Sequence, residues 1–198
     1  MRDIIKLVGN YLDYKNIESF IDEKKSGGLK ESLFLVALAQ LVSFIAMALS
    51  AWLASIFSPQ LGLPMDLLAV VTLVVLAILG IPFFYLFSGF LFLLSKLLGG
   101  TGSYTEQTYV FSVVSFAANT VSAPFIVFMH VNDALNFLTT IVLLPLSIYM
   151  IYVQYKTLKS VHQMSGLKSF AVIVVYLLML ITFLFSLTVL TMPLPAAS

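Results

Sequence analysis

Apolar and polar positions fall into long blocks along the 198-residue chain rather than alternating. Five blocks are long enough to cross a bilayer, which takes about 20 residues of helix. They are Leu33–Phe57, Leu67–Leu94, Tyr109–Met129, Ala134–Tyr155 and Phe170–Met192, and none contains Asp, Glu, Lys, Arg or His. They are rich in Phe, Ile and Val, which also favour strands. Runs of this length without a two-residue period are nevertheless helices and not barrel strands. The pattern therefore predicts an all-α membrane protein, a bundle of five transmembrane helices.

The second run is longer than the hydrocarbon core requires, so it must tilt, kink or project. Gly80-Ile81-Pro82 near its middle is the expected kink. Pro124 and Pro145 sit similarly in the third and fourth runs. Each proline frees a carbonyl that needs another partner. Small residues recur every fourth position at Ala46, Ser50, Ala54 and Ser58, and again at Ser115, Asn119 and Ala123. Faces of this kind let helices approach closely.

Ahead of the first run lies a short segment, 1–31, read as a cytoplasmic amphipathic piece separate from the five-helix unit 32–198. Ile4, Ile5, Val8 and Leu12 keep helical spacing, and Ile17, Phe20 and Ile21 repeat it after a break. Its six bases are matched by six acids, so it is not a polybasic tether. It is expected to lie on the membrane or to fold over the inner face of the bundle. No secretory signal pattern is present in it.

Charge orients the bundle. The ten basic residues are Arg2, Lys6, Lys15, Lys24, Lys25, Lys30, Lys96, Lys156, Lys159 and Lys168. With five spans, all ten fall on one side. The positive-inside rule then places the N-terminus in the cytoplasm and the C-terminus outside. "SPQLGLPMD" (Ser58–Asp66) and "HVND" (His130–Asp133) become short outer turns, the latter closing a tight helical hairpin.

Composition agrees and excludes several classes. The chain is 61% hydrophobic and 10% charged with a net charge of +1, which leaves no footprint for nucleic acid. It has no Cys, which removes thiol chemistry and thiolate metal sites. His130 and His162 fall on opposite faces and cannot share a metal. His130 and Asp133 alone do not make a metal site. No catalytic motif is found, and no ionisable group lies inside a span to serve a proton relay. No enzyme activity, cofactor or metal is expected.

Three groups remain as candidate sites. Gly99-Gly100-Thr101-Gly102-Ser103 resembles a phosphate loop at first sight. It lacks the following Lys and Ser/Thr, and a membrane helix precedes it instead of a strand. Ser103 and Glu106 instead fit a capping box that starts the third span. Anion or headgroup binding at that helix start is the alternative. The second group is Lys156, Lys159, His162 and Lys168, with Gly166 read as a helix terminator. Topology anchoring is the plain reading of these bases, and contact with anionic lipid or an acidic partner the sharper one. Third, Asn119, Ser122 and Pro124 form the most polar mid-span patch. Either Asn119 serves a proline-freed carbonyl or the patch is a small polar cavity between kinked helices.

"LLGGTGSYTEQT" (Leu97–Thr108), the Ser- and Pro-bearing third span and "YKTLKSVHQMSGLKS" (Tyr155–Ser169) together resemble the Yip family of Ypt/Rab-interacting membrane proteins. The resemblance runs from Gly28 onward. It implies an integral membrane protein, linked in eukaryotes to vesicle traffic and small GTPases. Eukaryotic members have a longer N-terminal region and an Asp-Leu-Tyr-Gly-Pro stretch, both missing here. The chain is similar to short prokaryotic members, no GTPase-contact residue carries over, and a small GTPase is a doubtful partner. The resulting expectation is a non-enzymatic, multi-pass protein, in the cell membrane if prokaryotic. It would act in membrane organisation or trafficking-like processes through lipids, other membrane proteins or self-association. The alternative is a carrier or channel for a neutral or lipid-like solute near Asn119.

Overall fold

A computed structural model describes residues 2–13, 15–57 and 67–191, with side chains over 6–13, 15–57 and 70–182. The expected outer turn Ser58–Asp66, the last residues of the tail, and the side chains of Ile4 and Ile5 lie outside this range. Among the described residues seven helices follow one another: α1 (Arg2–Leu12), α2 (Ile17–Lys24), α3 (Leu29–Phe57), α4 (Leu67–Leu97), α5 (Tyr104–Phe128), α6 (Asp133–His162) and α7 (Gly166–Thr191). Among the described residues there is no strand.

α3, α4 from Val70, α5 and α6 are each long and apolar enough to cross a membrane. α7 is apolar over Gly166–Thr182, the part whose side chains are described. The protein is thus an all-α, multi-pass membrane protein. Several helices outrun their apolar runs where the lysines cluster. α4 carries Lys96 in its last turn, and α6 continues through Lys156 and Lys159 to His162. Their ends are decided by capping groups, and hydropathy does not see those.

α5 is the central post. It packs against α1, α2, α3, α4 and α6. Within its most apolar stretch 44% of residues are buried, against none in α4. α4 therefore leaves its apolar surface open to lipid. The stripe α3 turns inward is built from small and branched residues: Ser32, Val36, Ala39, Ala46, Ser50 and Ala54. Its spacing of three and four keeps one face against α5, and small side chains let the axes draw close.

Pro82, Pro124 and Pro145 all sit inside continuous helices. Gly80 does more than loosen α4. A side chain there would begin 2.5 Å from the Gln40 amide group, so Gly80 is where α4 closes on α3.

The N-terminal segment folds over the bundle. Tyr11, Ile17, Phe20 and Ile21 join one buried cluster with Val110, Val113, Val114 and Ala117 of α5 and Val153 and Val161 of α6. Tyr11 replaces Leu12 as the anchor of α1. Leu12 is 49% exposed and Tyr11 fully buried, its ring edge-on to Tyr149 at 5.3 Å. The Tyr149 hydroxyl donates to the Tyr11 carbonyl. A docking surface that includes an aromatic ring selects the residue with more area to bury.

Candidate functional site

The glycine knot begins as a helix stop. Gly99 adopts φ +86°, a left-handed conformation that glycine enters without steric cost. Gly100 N donates to Ser95 O (2.9 Å) and Gly99 N to Lys96 O (3.0 Å). This nested pair is a Schellman motif, and it satisfies two carbonyls at the end of α4.

The next residues dock on the end of α6. Thr101 N and its hydroxyl both donate to His162 O, at 3.0 and 3.3 Å. A side chain at Gly100 would begin 2.9 Å from the His162 Cβ and Nδ1, and one at Gly102 only 2.4 Å from the Val161 carbonyl oxygen. At Gly102 the α6 backbone occupies the space, and at Gly100 the His162 side chain and the Ser95 carbonyl do. Ser103 then opens α5 with the expected capping box. Its hydroxyl accepts from Glu106 N (3.2 Å), and its own N–H donates to the Glu106 carboxylate (3.0 Å).

Beneath the knot runs a buried polar chain. His162 Nε2 lies 2.7 Å from Gln107 Oε1. The Gln107 amide nitrogen donates to Ser88 O at 2.8 Å, so its oxygen faces the ring and His162 Nε2 carries the proton. Nδ1 is buried with no partner. The imidazole is accordingly neutral, since a second proton would have no acceptor. Ser88 and Thr108 share a hydroxyl bond of 2.9 Å, Ser32 donates to Thr108 O, and Tyr85 donates to Ser32. The chain ties α6, α5, α4 and α3 together in a region where unpaired polar groups are costly.

Gln107, Ser88 and Thr108 were not legible as a site. Gln107 follows Glu106 in a first turn, where a polar residue reads as exposed. The usable signal was an amide and two hydroxyls recurring near the same end of neighbouring spans.

The expected basic cluster is divided. Lys156 pairs with Glu18 at 2.7 Å, and Lys159 approaches the same carboxylate at 4.0 Å. The Lys156 hydrogen bond, then its charge, holds Glu18 below the usual carboxylate range. Asp22 is lowered as well, first by a hydrogen bond from Lys25 and then by one from Ser160. These contacts fasten α2 to α6. His162 is turned inward and contributes no charge, which corrects its place among the bases. Lys168 sits over the knot, its ammonium 3.6 Å from where a Gly99 side chain would start. Lys96 donates to Thr101 O (3.2 Å) and covers the Phe92 ring. The structure thus brings Gly99, Gly100, Gly102, Ser103 and Glu106 together with His162 and Lys168, while Lys156 and Lys159 belong to the α2 contact.

A second correction concerns Gly166. α6 stops at Gln163, which takes the left-handed conformation at φ 52°, and Gly166 is the first residue of α7. Gly166 is small for a different reason: a side chain there would begin 2.8 Å from the Tyr155 hydroxyl.

Asn119 lies far from the knot, 16 residues beyond Ser103 and so about 24 Å along α5. Its amide donates across to Ala39 O on α3 (3.2 Å), and Ser122 donates to Asn119 O (3.2 Å). Asn119 is therefore a cross-strut between helices and does not serve a proline-freed carbonyl of its own helix. Pro124 is exposed on α5. At the other end of the α5–α6 hairpin, Asn132 caps α6 by accepting from Leu135 N (2.9 Å). A small cavity there is lined by His130 and Asp133 among others. Among the described residues no group of three His, Cys, Asp or Glu is placed to hold a metal.

Comparison with known families matches residues 19–188 to the Yip1 domain. No curated protein and no solved structure matches the chain. The matched range takes in most of α2, the whole α3–α6 bundle, the glycine knot and nearly all of α7. The chain belongs to the Yip1 domain family of membrane proteins.

Proposed function

We propose that this protein is a non-enzymatic membrane organiser, acting in trafficking-like processes through its contacts with lipids, other membrane proteins or further copies of itself. The carrying observation is where its polar groups go. His162, Gln107, Ser88, Thr108, Ser32 and Asn119 all engage neighbouring helices, while α4 keeps an apolar exterior. Side chains already occupied in holding the bundle are not free to bind and turn over a substrate. The carrier alternative draws no support from Asn119, whose amide is engaged by Ala39 O.

In this reading the chain crosses the membrane five times, with α7 as the fifth span, the N-terminus in the cytoplasm and the C-terminus outside. Segment 1–31 is a cytoplasmic cover on the unit 32–198. The support is that all ten bases then share one side. A chain without Cys suits single-cysteine labelling. Cysteines at Lys15, Lys96 and Lys168 should react only from the cytoplasmic side and one at Asn132 only from outside; mixed labelling overturns the topology. Affinity purification from native membranes tests the function. Reproducible co-purifying membrane proteins or a defined oligomer support it. A lone monomer in mild detergent, with no bound lipid, overturns it.

A further inference from the structure

A cavity of about 170 Å³ opens between α4, α5, α6 and α7, separate from the glycine knot and from Asn119. Most of its wall is apolar, with Phe84, Phe87 and Phe111 prominent. Four polar side chains also line it: Ser88 from α4, already bonded to Thr108 in the His162 chain, then Ser115 from α5, Gln154 from α6 and Tyr176 from α7. Among the described residues, Ser115, Gln154 and Tyr176 have no hydrogen-bond partner, in contrast to Ser88 and every other member of the His162 chain. An amide and two hydroxyls without partners are costly inside a bilayer. A purely apolar cavity stays dry, and a water needs two to four polar partners. A wall that is mostly apolar with a few polar atoms fits an amphiphile better than either.

Depth narrows the class. α6 has 30 residues and so is about 45 Å long, against a hydrocarbon core of about 30 Å. Its apolar run Ala134–Tyr155 marks the part within the hydrocarbon, and Lys156 and Lys159 lie beyond it. Gln154 lies eight residues before His162, the end of the helix. That is about 12 Å along the axis, and one residue before the end of the apolar run, at the hydrocarbon boundary. Glycerolipid ester groups meet their acyl chains near this level. Size narrows it further. A cavity of about 150 Å³ holds one benzene-sized group, so this one takes a short chain segment and not a headgroup. Among the lining residues there is no Asp, Glu, Lys, Arg or His to call for a charged ligand.

We propose that this cavity binds the upper segment of one acyl chain of a glycerolipid, with an ester oxygen accepting a hydrogen bond from the Gln154 amide. The chain packs on the phenylalanines, and Ser115 and Tyr176 offer two more donors beside it. The site gives a residue-level form to the lipid arm of the proposed function and rests on that reading. The two remain separable, because the partner purification does not depend on this cavity.

The test uses the full chain in nanodiscs containing phosphatidylcholine with a diazirine on its upper acyl chain. After irradiation, adducts are mapped by mass spectrometry. Adducts should concentrate at 84–87, 111–115, 150–154 and 176, well above those at the outward-facing Phe34 of α3. Gln154→Leu should lower the cavity adducts about fivefold, the scale of one lost hydrogen bond, and leave Phe34 unchanged. Ser115→Leu, which fills the cavity from α5, should do the same. Adducts spread evenly over the outer faces of the helices overturn the proposal, as does unchanged labelling in either folded variant. Where neither variant purifies as a monodisperse species, the wild-type map alone decides.

Discussion

His162 and Gln107 meet at 2.7 Å, and through that contact the end of α6 is bound into the start of α5. Both side chains are fully buried. The amide passes the connection on to Ser88 of α4, so one imidazole helps to hold three helices in register. Replacing Gln107 by Leu leaves the imidazole N–H without a partner and takes from the Ser88 carbonyl the hydrogen bond it accepts beyond its helical one. The expected loss is about 1–3 kcal/mol of stability, read from denaturant or thermal unfolding in detergent. A double-mutant cycle with His162→Phe should show coupling, since both substitutions remove the same bond.

Two glycines should respond in opposite directions to the same methyl group. Gly102→Ala drives a methyl to 2.4 Å from the Val161 carbonyl oxygen, which is backbone and cannot rotate away. The knot and the end of α6 must separate, and the melting temperature should fall sharply. Gly9 lies in α1 with nothing within 4 Å of the added atom. Gly9→Ala should stabilise by about 0.5–1 kcal/mol, because alanine loses less backbone freedom in a helix. If Gly102→Ala melts with the wild type, the close packing of knot and α6 is wrong.

Gln163 holds a left-handed conformation that costs a side-chain-bearing residue about 1–2 kcal/mol. Gln163→Gly should recover about 1 kcal/mol of that cost after the entropy of glycine is subtracted. Thermal unfolding of the two proteins side by side is sufficient to check it.

Docking of α2 should weaken in acid. Glu18 and Asp22 have folded-state affinities for protons held below the ordinary carboxylate range by Lys156 and Lys25. A depressed value means the contribution is present above the unfolded value and lost as pH falls through the folded one. Hydrogen exchange at the α2 amides should therefore accelerate as pH drops below the ordinary carboxylate range, after correction for intrinsic rates. Glu18→Gln should flatten much of that dependence. Both carboxylates are largely exposed, so added salt should loosen the same contact.

The apolar runs located the long helices because the cost of unpaired backbone in lipid dominates every other local preference. The capping box at Ser103 and Glu106 was legible for a similar reason, since both partners lie within one turn. Gly166 was misjudged as a terminator because a glycine needed for close approach looks the same in a string as one needed for a left-handed turn. Here the turn fell to Gln163, three residues earlier. The amphipathic segment was visible, but Leu12 and Tyr11 are adjacent. Only the geometry of docking decides which of the two turns inward.

By itself, the sequence determined that this is a helical membrane protein whose basic residues lie outside the apolar runs and whose second and third runs are joined by a glycine-rich junction. Those properties follow from local quantities: hydropathy over about 20 residues, charge between runs and capping within a turn. The tertiary structure alone decided that Gly100 and Gly102 are small to admit α6 and that His162 is buried and neutral. It also decided that Lys156 answers Glu18 and that Asn119 spans to Ala39. Each of those is a contact between residues far apart in the chain. Their partners are chosen by how helices pack, and no local pattern encodes that choice.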